Sequence, residues 1–476
     1  DRMKFQKVEW FAARRRDIAM QQRASDREKL VAELQERGDP LAQEYAHAEN
    51  RAEIAVRVAR DSGSYPWLSG GDTNIYALFV ERSLSLIKND GMVGLLTPIG
   101  IGTDKTAAPF FSRMAENCRI KTFLSFENRR GWLFSSVHHE DQPTIIVFSG
   151  TAFTFDTFSY GVKLHSIPDQ DYVDNNRLSG TACRQINPNT GTIPIFRSPR
   201  DLELTTRIYA QSPVLVDRSA GVPTETWPVR YVRMFDMTNA SIDFRRKEEL
   251  ENREGGYPVG QRQWESARGI WQPLFEGKMI SLFNHRYASV HENPNNVSGQ
   301  GVPVHSTFEQ LQDTKFFNQP RYWVPDDIIE YSGPFALGFN DICNTNNRRS
   351  LISALVPRAG FGNKLPILVP ATDNVVDSMI LLAGNFNAIL CDYIARQKIQ
   401  SRNLNKYILE QIAVIPPERY ENVGFGNKTA QDLVREIVLE LTYTAYDMAP
   451  FARAMGYVDE AGDAKPPFVW DEERRL

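Results

Sequence analysis

The sequence predicts an α/β domain forming the second half of a doubly wound sheet, followed by a mixed α+β domain. Three observations predict it. Residues 71–98 run from a Gly-Asp turn through a stretch with helical apolar spacing to a polar stop at Asn89-Asp90-Gly91, then into the apolar run Met92-Val93-Gly94-Leu95-Leu96. Counting the helix and strand of that stretch, the order to residue 148 is helix, strand, helix, strand and strand, as in the closing half of such a sheet. After about residue 165 prolines and aromatics become frequent and the helical period is lost.

Each element has its own warrant. Residues 1–68 are rich in Glu, Arg, Lys, Gln and Ala, with a patchy helical period broken near Gly38–Pro40, and are expected to form a charged helical arm. A solvated helical face without chemistry is the usual meaning of such a pattern. Residues 69–165 form the closing half of the sheet. Tyr76, Phe79, Val80, Leu84 and Ile87 lie on one helix face. Residues 92–96 suit a parallel strand buried on both faces. Residues 110–118 read as a helix, and 120–126 and 144–148 as strands. Residues 166–445 form the second domain, with a helix at 195–210 and strands at 229–235, 278–283, 321–324, 351–356 and 365–369. Further helices are expected at 374–399 and 430–448, separated by Pro416-Pro417. Residues 446–476 are expected to be a tail, loose in its charged end from 461 onward.

Composition excludes some classes and leaves others open. The chain has 476 residues, 42% apolar and 24% charged, with a mean hydropathy of -0.41. No long uncharged apolar run exists to span a membrane. No secretory signal is read in the charged, aromatic residues 1–16. The four cysteines are far apart and form neither a CxxC metal site nor a disulfide framework, so a cytoplasmic setting is expected. A net charge of -4 decides nothing about nucleic acid, because a DNA enzyme can gather its basic residues in one cleft.

A family resemblance then enters on particular residues. Asn74-Ile75-Tyr76-Ala77-Leu78-Phe79-Val80-Glu81, then Gly91…Leu95-Leu96-Thr97-Pro98, then Phe126-Glu127-Asn128…Leu133-Phe134 resemble the later catalytic motifs of γ-class DNA adenine-N6 methyltransferases. More narrowly, they are similar to the Eco57I-like and BREX-type methylases of restriction-modification and phage-defence systems. Leu274-Phe275-Glu276-Gly277-Lys278-Met279-Ile280, Phe283 to Ser289, Pro320 to Pro325 and Arg396-Gln397-Lys398…Asn403-Leu404-Asn405 resemble the target-recognition domain of those enzymes.

The resemblance implies a site-specific, S-adenosylmethionine-dependent methyltransferase acting on a flipped adenine of double-stranded DNA. That family also carries a cofactor loop and an Asn/Asp-Pro-Pro-aromatic tetrapeptide, and neither occurs here. Asp1-Arg2-Met3-Lys4-Phe5-Gln6 is similar to the segment just downstream of the tetrapeptide. No catalytic residue of the tetrapeptide is therefore expected in this chain, which should be inactive alone. The cofactor should be bound mainly by an N-terminal catalytic half, in cis or as a separate subunit. The alternative is a pure DNA-recognition module or split subunit. Methyl transfer to an amine needs no metal and no covalent intermediate, only in-line positioning, and the base must leave the duplex to be reached. The absence of a Pro-Cys pair argues against cytosine-C5 chemistry.

By resemblance, Phe79 packs on the cofactor's adenine and Phe134 on the flipped base; Ser135 stands where the family usually has Pro. A core position explains Phe79 as well, and a tucked loop aromatic explains Phe134. His138 and His139 follow, in a loop where solvent-facing histidines are the ordinary case. For recognition, side chains that match base edges or phosphates are sought. They cluster at His285-Arg286-Tyr287, Asn344-Thr345-Asn346-Asn347-Arg348-Arg349 and residues 396–403. The DNA-binding candidates are Arg286, Tyr287, Asn346, Arg348, Arg349, Lys398, Arg402 and Asn403. Turn formation by Asn and cations suiting a helix C-terminus are the competing explanations. Glu276-Gly277-Lys278 imitates half of a nuclease metal site, with Asp243 upstream, but the acidic pair such a site needs is missing, and no metal is expected.

Overall fold

The computed structural model describes residues 3–475 apart from 137–140, 261, 293–300, 344–346 and 400–401. The first domain is a five-stranded sheet of β1 (Met92–Pro98), β2 (Ile120–Phe126), β3 (Pro143–Ser149), β4 (Phe158–Leu164) and β5 (Arg177–Leu178). The spatial order is β1-β3-β2-β4-β5. β3 is inserted antiparallel between β1 and β2, which therefore point the same way, and β4 lies parallel to β2. The helices Gly100–Thr103 and Ala108–Glu116 make the crossover from β1 to β2. Close packing there needs Gly102, where a Cβ would sit 2.5 Å from the Phe123 ring. Phe110, Phe111, Phe123, Ile146 and Phe148 are fully buried between helix and sheet, each adding on the order of 1.5–3 kcal/mol of transfer free energy.

β1 differs from the doubly buried parallel strand expected of it. Among the described residues it pairs only with β3, antiparallel, and its other edge has no strand beside it. Its burial alternates, with Met92 44% and Leu96 56% exposed. An apolar run signals burial but not how many neighbours supply it.

The other boundaries shift for physical reasons. Leu178, Cys183, Ile186, Ile193, Ile195 and Phe196 share one core with Phe110 and Phe148, so the first domain continues well past residue 165. The helix expected from 195 starts at Pro199, because Ile195 and Phe196 are buried in extended chain. The arm contains the helices Ala24–Glu36 and Pro40–Asp61 and has its own core of Phe11, Ile18, Val31, Leu34 and Tyr45. It is anchored on the second domain by Arg23–Glu249 at 3.0 Å.

The second domain has a four-stranded antiparallel sheet of Ser353–Pro357, Phe335–Phe339, Ile367–Pro370 and Val229–Val232, in that order. A second sheet contains Tyr257–Val259, Gln263–Ser266, Gly269–Phe275 and Trp323–Pro325. The strand expected at 278–283 is instead a 3-10 turn, Gly277–Met279, and irregular chain. The helix expected at 374–399 is two helices, Val375–Asn387 and Ile389–Arg396, bent by 64°. The helix expected at 430–448 ends at Thr442. Ala388 is extended at the bend, where the Asn387 side chain is drawn into the sheet by bonds with Ser353 N (3.0 Å) and Ser353 O (2.9 Å). Both helices are core elements, and among the described residues no single helix is long and apolar enough to cross a membrane. The C-terminal segment is not loose: Met448, Phe451 and Ala452 are buried in the second core, and Tyr457 stacks on Phe468 at 5.0 Å.

Candidate functional site

β1, β2 and β4 deliver their carboxyl ends to one side of the sheet, the side on which open α/β sheets bind ligands. The loop after β2 is tied down there by Asn128, which is fully buried. Its Oδ1 accepts from Leu133 N (3.2 Å) and Phe134 N (3.1 Å), and its Nδ2 donates to Phe134 O (2.8 Å). The turn uses Gly131 at φ +67°, a conformation costly for residues with a Cβ. Trp132 donates its Nε1–H to Glu127 O (2.8 Å). Trp132 and Phe134 remain 40% and 37% exposed. Two aromatic faces are thus held out by a buried amide. Phe134, expected from the resemblance, is thus partly exposed on this loop; the role of Asn128 was not anticipated, and its signal was an Asn just past the end of a buried strand.

Phe79 lies near the start of the helix Ile75–Leu86. The turn at Lys88–Gly91 reverses the chain, so this helix end lies toward the carboxyl end of β1. Phe79 is 70% exposed, while Ala77, Val80 and Glu81 face the core. Phe79 thus lies outside the core formed by the described residues. The Glu81 carboxylate, on the same helix, is occupied by Trp67 N (2.9 Å) and Leu68 N (2.8 Å).

Two of the three recognition clusters are brought together. Ile342 bridges Asn403, and Cys343 N donates to Arg402 O at 2.9 Å. Asp392 accepts from Ser350 N (2.6 Å), Leu351 N (2.8 Å) and Arg396 Nε (2.8 Å). Arg396 also donates to Asn347 O (2.7 Å) and Arg348 O (2.8 Å). The loop carrying Arg348 is thus clamped to the helix end at Arg396, with Arg348 and Arg402 exposed. Arg349 is half-buried and donates to Asn387 O, and Asn403 accepts from Lys364 Nζ at 3.0 Å.

Two candidates are corrected. Arg286 is fully buried. Its guanidinium donates to the carbonyls of Leu311 (2.7 Å), Asp313 (2.8 Å), Phe316 (3.2 Å) and Thr444 (3.0 Å). Burial pushes its pKa down to about 10. Lys398 is also buried, with Nζ donating to Ile186 O and Asn187 Oδ1, each at 2.6 Å, where it joins the two domains. Desolvation holds its pKa well below the ordinary lysine value. Both are structural cations, out of reach of a duplex. Tyr287 stays partly exposed, its ring 4.6 Å from that of His305. Asn346, His138 and His139 lie outside the described residues.

The nuclease-like triplet is spent internally: Glu276 pairs with Arg321 (2.7 Å) and Lys278 (3.6 Å). Among the described residues, no three His, Cys, Asp or Glu side chains come together to hold a metal ion. The four cysteines are free.

Residues 48–132 match the Eco57I restriction-modification methylase family. The matched stretch covers the exposed Phe79, β1, β2 and the start of the aromatic loop. No curated protein matches the chain. Among solved structures it is similar to the type IIG restriction endonuclease BpuSI, with 12% identity and a TM-score of 0.25. That alignment covers 85% of this chain and 50% of BpuSI, so the chain spans half the length of that enzyme.

Proposed function

We propose that this chain supplies the closing half of the catalytic sheet and the target-recognition domain of a site-specific DNA adenine-N6 methyltransferase of a restriction-modification or phage-defence system. The observation that carries this is the methylase match over 48–132, because it falls on the elements that hold Phe79, the open β1 edge and the loop leading to Phe134. S-adenosylmethionine supplies the methyl group when bound. This chain's share of that site fits one face of an adenine ring, offered by Phe79. With Glu81 occupied elsewhere, the ribose and the methionine part fall to other residues. Phe134 packs on the extruded base and Asn128 positions it. Arg348 and Arg402 meet the duplex from the second domain, with Tyr287 a further candidate.

The open apolar edge of β1 and the exposed Ile75, Phe79, Leu86, Met92 and Leu96 support a partner for this face. A sheet edge and an apolar face of this kind invite pairing. The occupant we propose is the half of the catalytic domain with the cofactor loop and the tetrapeptide, in cis or as a separate subunit.

Calorimetric titration of residues 1–476 with S-adenosylmethionine should give no tight binding. The protein containing the polypeptide encoded immediately before Asp1, or co-expressed with the neighbouring subunit, should deposit N6-methyladenine in duplex DNA, read by mass spectrometry of nucleosides. Tight cofactor binding by this chain alone refutes the split. Methylation of cytosine, or of nothing, refutes the activity.

A further inference from the structure

The second domain contains a cavity that no sequence motif announces. Its volume is about 140 Å³, roomier than one water needs. Trp264 and Trp323 wall it, Arg262 and Asn318 line it, and Lys247 and Gln319 stand exposed at its rim. Arg262 closes the hairpin of Tyr257–Val259 and Gln263–Ser266, two residues after Gly260 at φ +59°.

The side chain of Arg262 is more than nine-tenths buried, at 8% exposure. Its Nη1 donates to Asp447 at 2.6 Å, and the guanidinium lies over the Phe275 ring at 4.5 Å. Nε and Nη2 are buried too, and among the described residues neither has a hydrogen-bond partner. These two donors share one side of the guanidinium and have parallel N–H bonds, the fork that takes two oxygens of one oxyanion. A buried donor without a partner carries its full desolvation cost, which is larger for a charged group. Asp447 and Phe275 thus hold Arg262 in a pose whose cost a ligand would offset.

Asn318 adds a second requirement. Its Nδ2 donates to His285 O (3.0 Å) and Ala288 O (3.1 Å), which settles which end of the amide is oxygen. Oδ1 is buried and has no donor among the described residues. Asp447 balances the charge of Arg262, so the positive charge at the cavity comes from Lys247, which lies 3.9 Å from Glu251. No carboxylate is among the described residues that line the cavity. The complementary ligand has two negative oxygens for the fork and an O–H for Asn318. A phosphate that keeps a proton has both. Sulfate lacks the O–H, and so does the phosphodiester of a DNA backbone.

We propose that Arg262, Asn318 and Lys247 form a binding site for a protonated phosphate group, as inorganic phosphate or a phosphate monoester. The site does not depend on the methyltransferase reading, and it gives the second domain a ligand other than the duplex backbone.

Calorimetric titration of residues 1–476 with inorganic phosphate at about pH 7, with ionic strength held by chloride, should give a dissociation constant on the order of 1 mM. Sulfate should bind at least about tenfold more weakly, because it leaves Asn318 Oδ1 unpaired. Lys247→Gln and Gln319→Glu are surface changes that leave folding intact, and each should weaken phosphate binding about tenfold. Arg262→Lys keeps a cation beside Asp447 but removes the fork, and should abolish binding. Its melting temperature without phosphate reports its folding; if it does not fold, the two surface variants decide. Absence of phosphate binding overturns the site, as does equal binding of phosphate and sulfate, or undiminished binding in both surface variants.

Competition against bound phosphate identifies the source. Displacement by a duplex with 5′-phosphate ends, but not by the same duplex with 5′-hydroxyl ends, assigns the site to a DNA end. Displacement by glycerol phosphate alone assigns it to a small monoester, and displacement by none of these to inorganic phosphate. Equal displacement by both duplexes overturns the requirement for an O–H, since diesters are the phosphates they share.

Discussion

Arg286→Ala separates a recognition arginine from a structural one. The guanidinium is fully buried and ties together four main-chain carbonyls, at Leu311, Asp313, Phe316 and Thr444. A hydrogen bond from a charged donor adds roughly 1.5–3 kcal/mol net, but burying the guanidinium itself costs several kcal/mol. Truncation removes both terms and takes the donor from the carbonyls of Leu311, Phe316 and Thr444, at about 1–3 kcal/mol each before water re-enters, while Asp313 O still accepts from Phe316 N. The balance is a loss of roughly 3–5 kcal/mol, the range found when one partner of a buried charged network is removed. For a domain of this size that lowers the melting temperature by about 10 °C. Scanning calorimetry should show the shift in the second-domain transition, and urea unfolding should give a lower midpoint. At temperatures where the variant is still folded, duplex binding should match the unmodified chain. A variant with an unchanged unfolding transition and a selective loss of DNA affinity would refute the structural assignment.

The converse holds at Arg348, which is exposed: Arg348→Ala should leave stability within about 0.5 kcal/mol while lowering affinity for the target duplex in anisotropy. Asn128→Ala removes three loop bonds from a buried amide and should cost roughly 2–4 kcal/mol locally, seen as faster hydrogen exchange in residues 129–136. His285 is buried against Asp447 (2.9 Å), which also holds Arg262 (2.6 Å). Burial keeps its pKa below 6.5, so unfolding takes up a proton as pH falls. Its contribution is complete above about pH 6.5 and is lost as pH drops toward the lowered value; His285→Gln should flatten the stability profile below about pH 6.5, and an unchanged profile contradicts the assignment. Phe79→Ala should not alter stability, since the ring is 70% exposed, but should raise the cofactor KM of the reconstituted enzyme; an unchanged KM removes Phe79 from the cofactor site.

The elements best legible in the sequence are those whose burial is local. β2 was expected at 120–126 and is Ile120–Phe126, because its apolar residues pack on the adjacent helix Ala108–Glu116. Less legible were elements set by distant partners. Gly269–Phe275 draws its neighbours from Gln263–Ser266, Trp323–Pro325 and Gly360–Phe361, and no short window contains that pattern. The break at Ala388 comes from an Asn387–Ser353 pairing across the sequence. The segment beyond 446 looked like a tail from its charge, yet Phe451 and Asp447 are buried there.

The same division explains the site. Phe134 was reached through the family resemblance, and its exposure depends on the loop bonds of Asn128, which no short window displays. Cations cannot be sorted from sequence, because Arg and Lys serve two opposite purposes with one composition. Arg286 and Lys398 satisfy carbonyls inside the molecule, whereas Arg348 and Arg402 stand outside it, and nothing in their immediate neighbours distinguishes them.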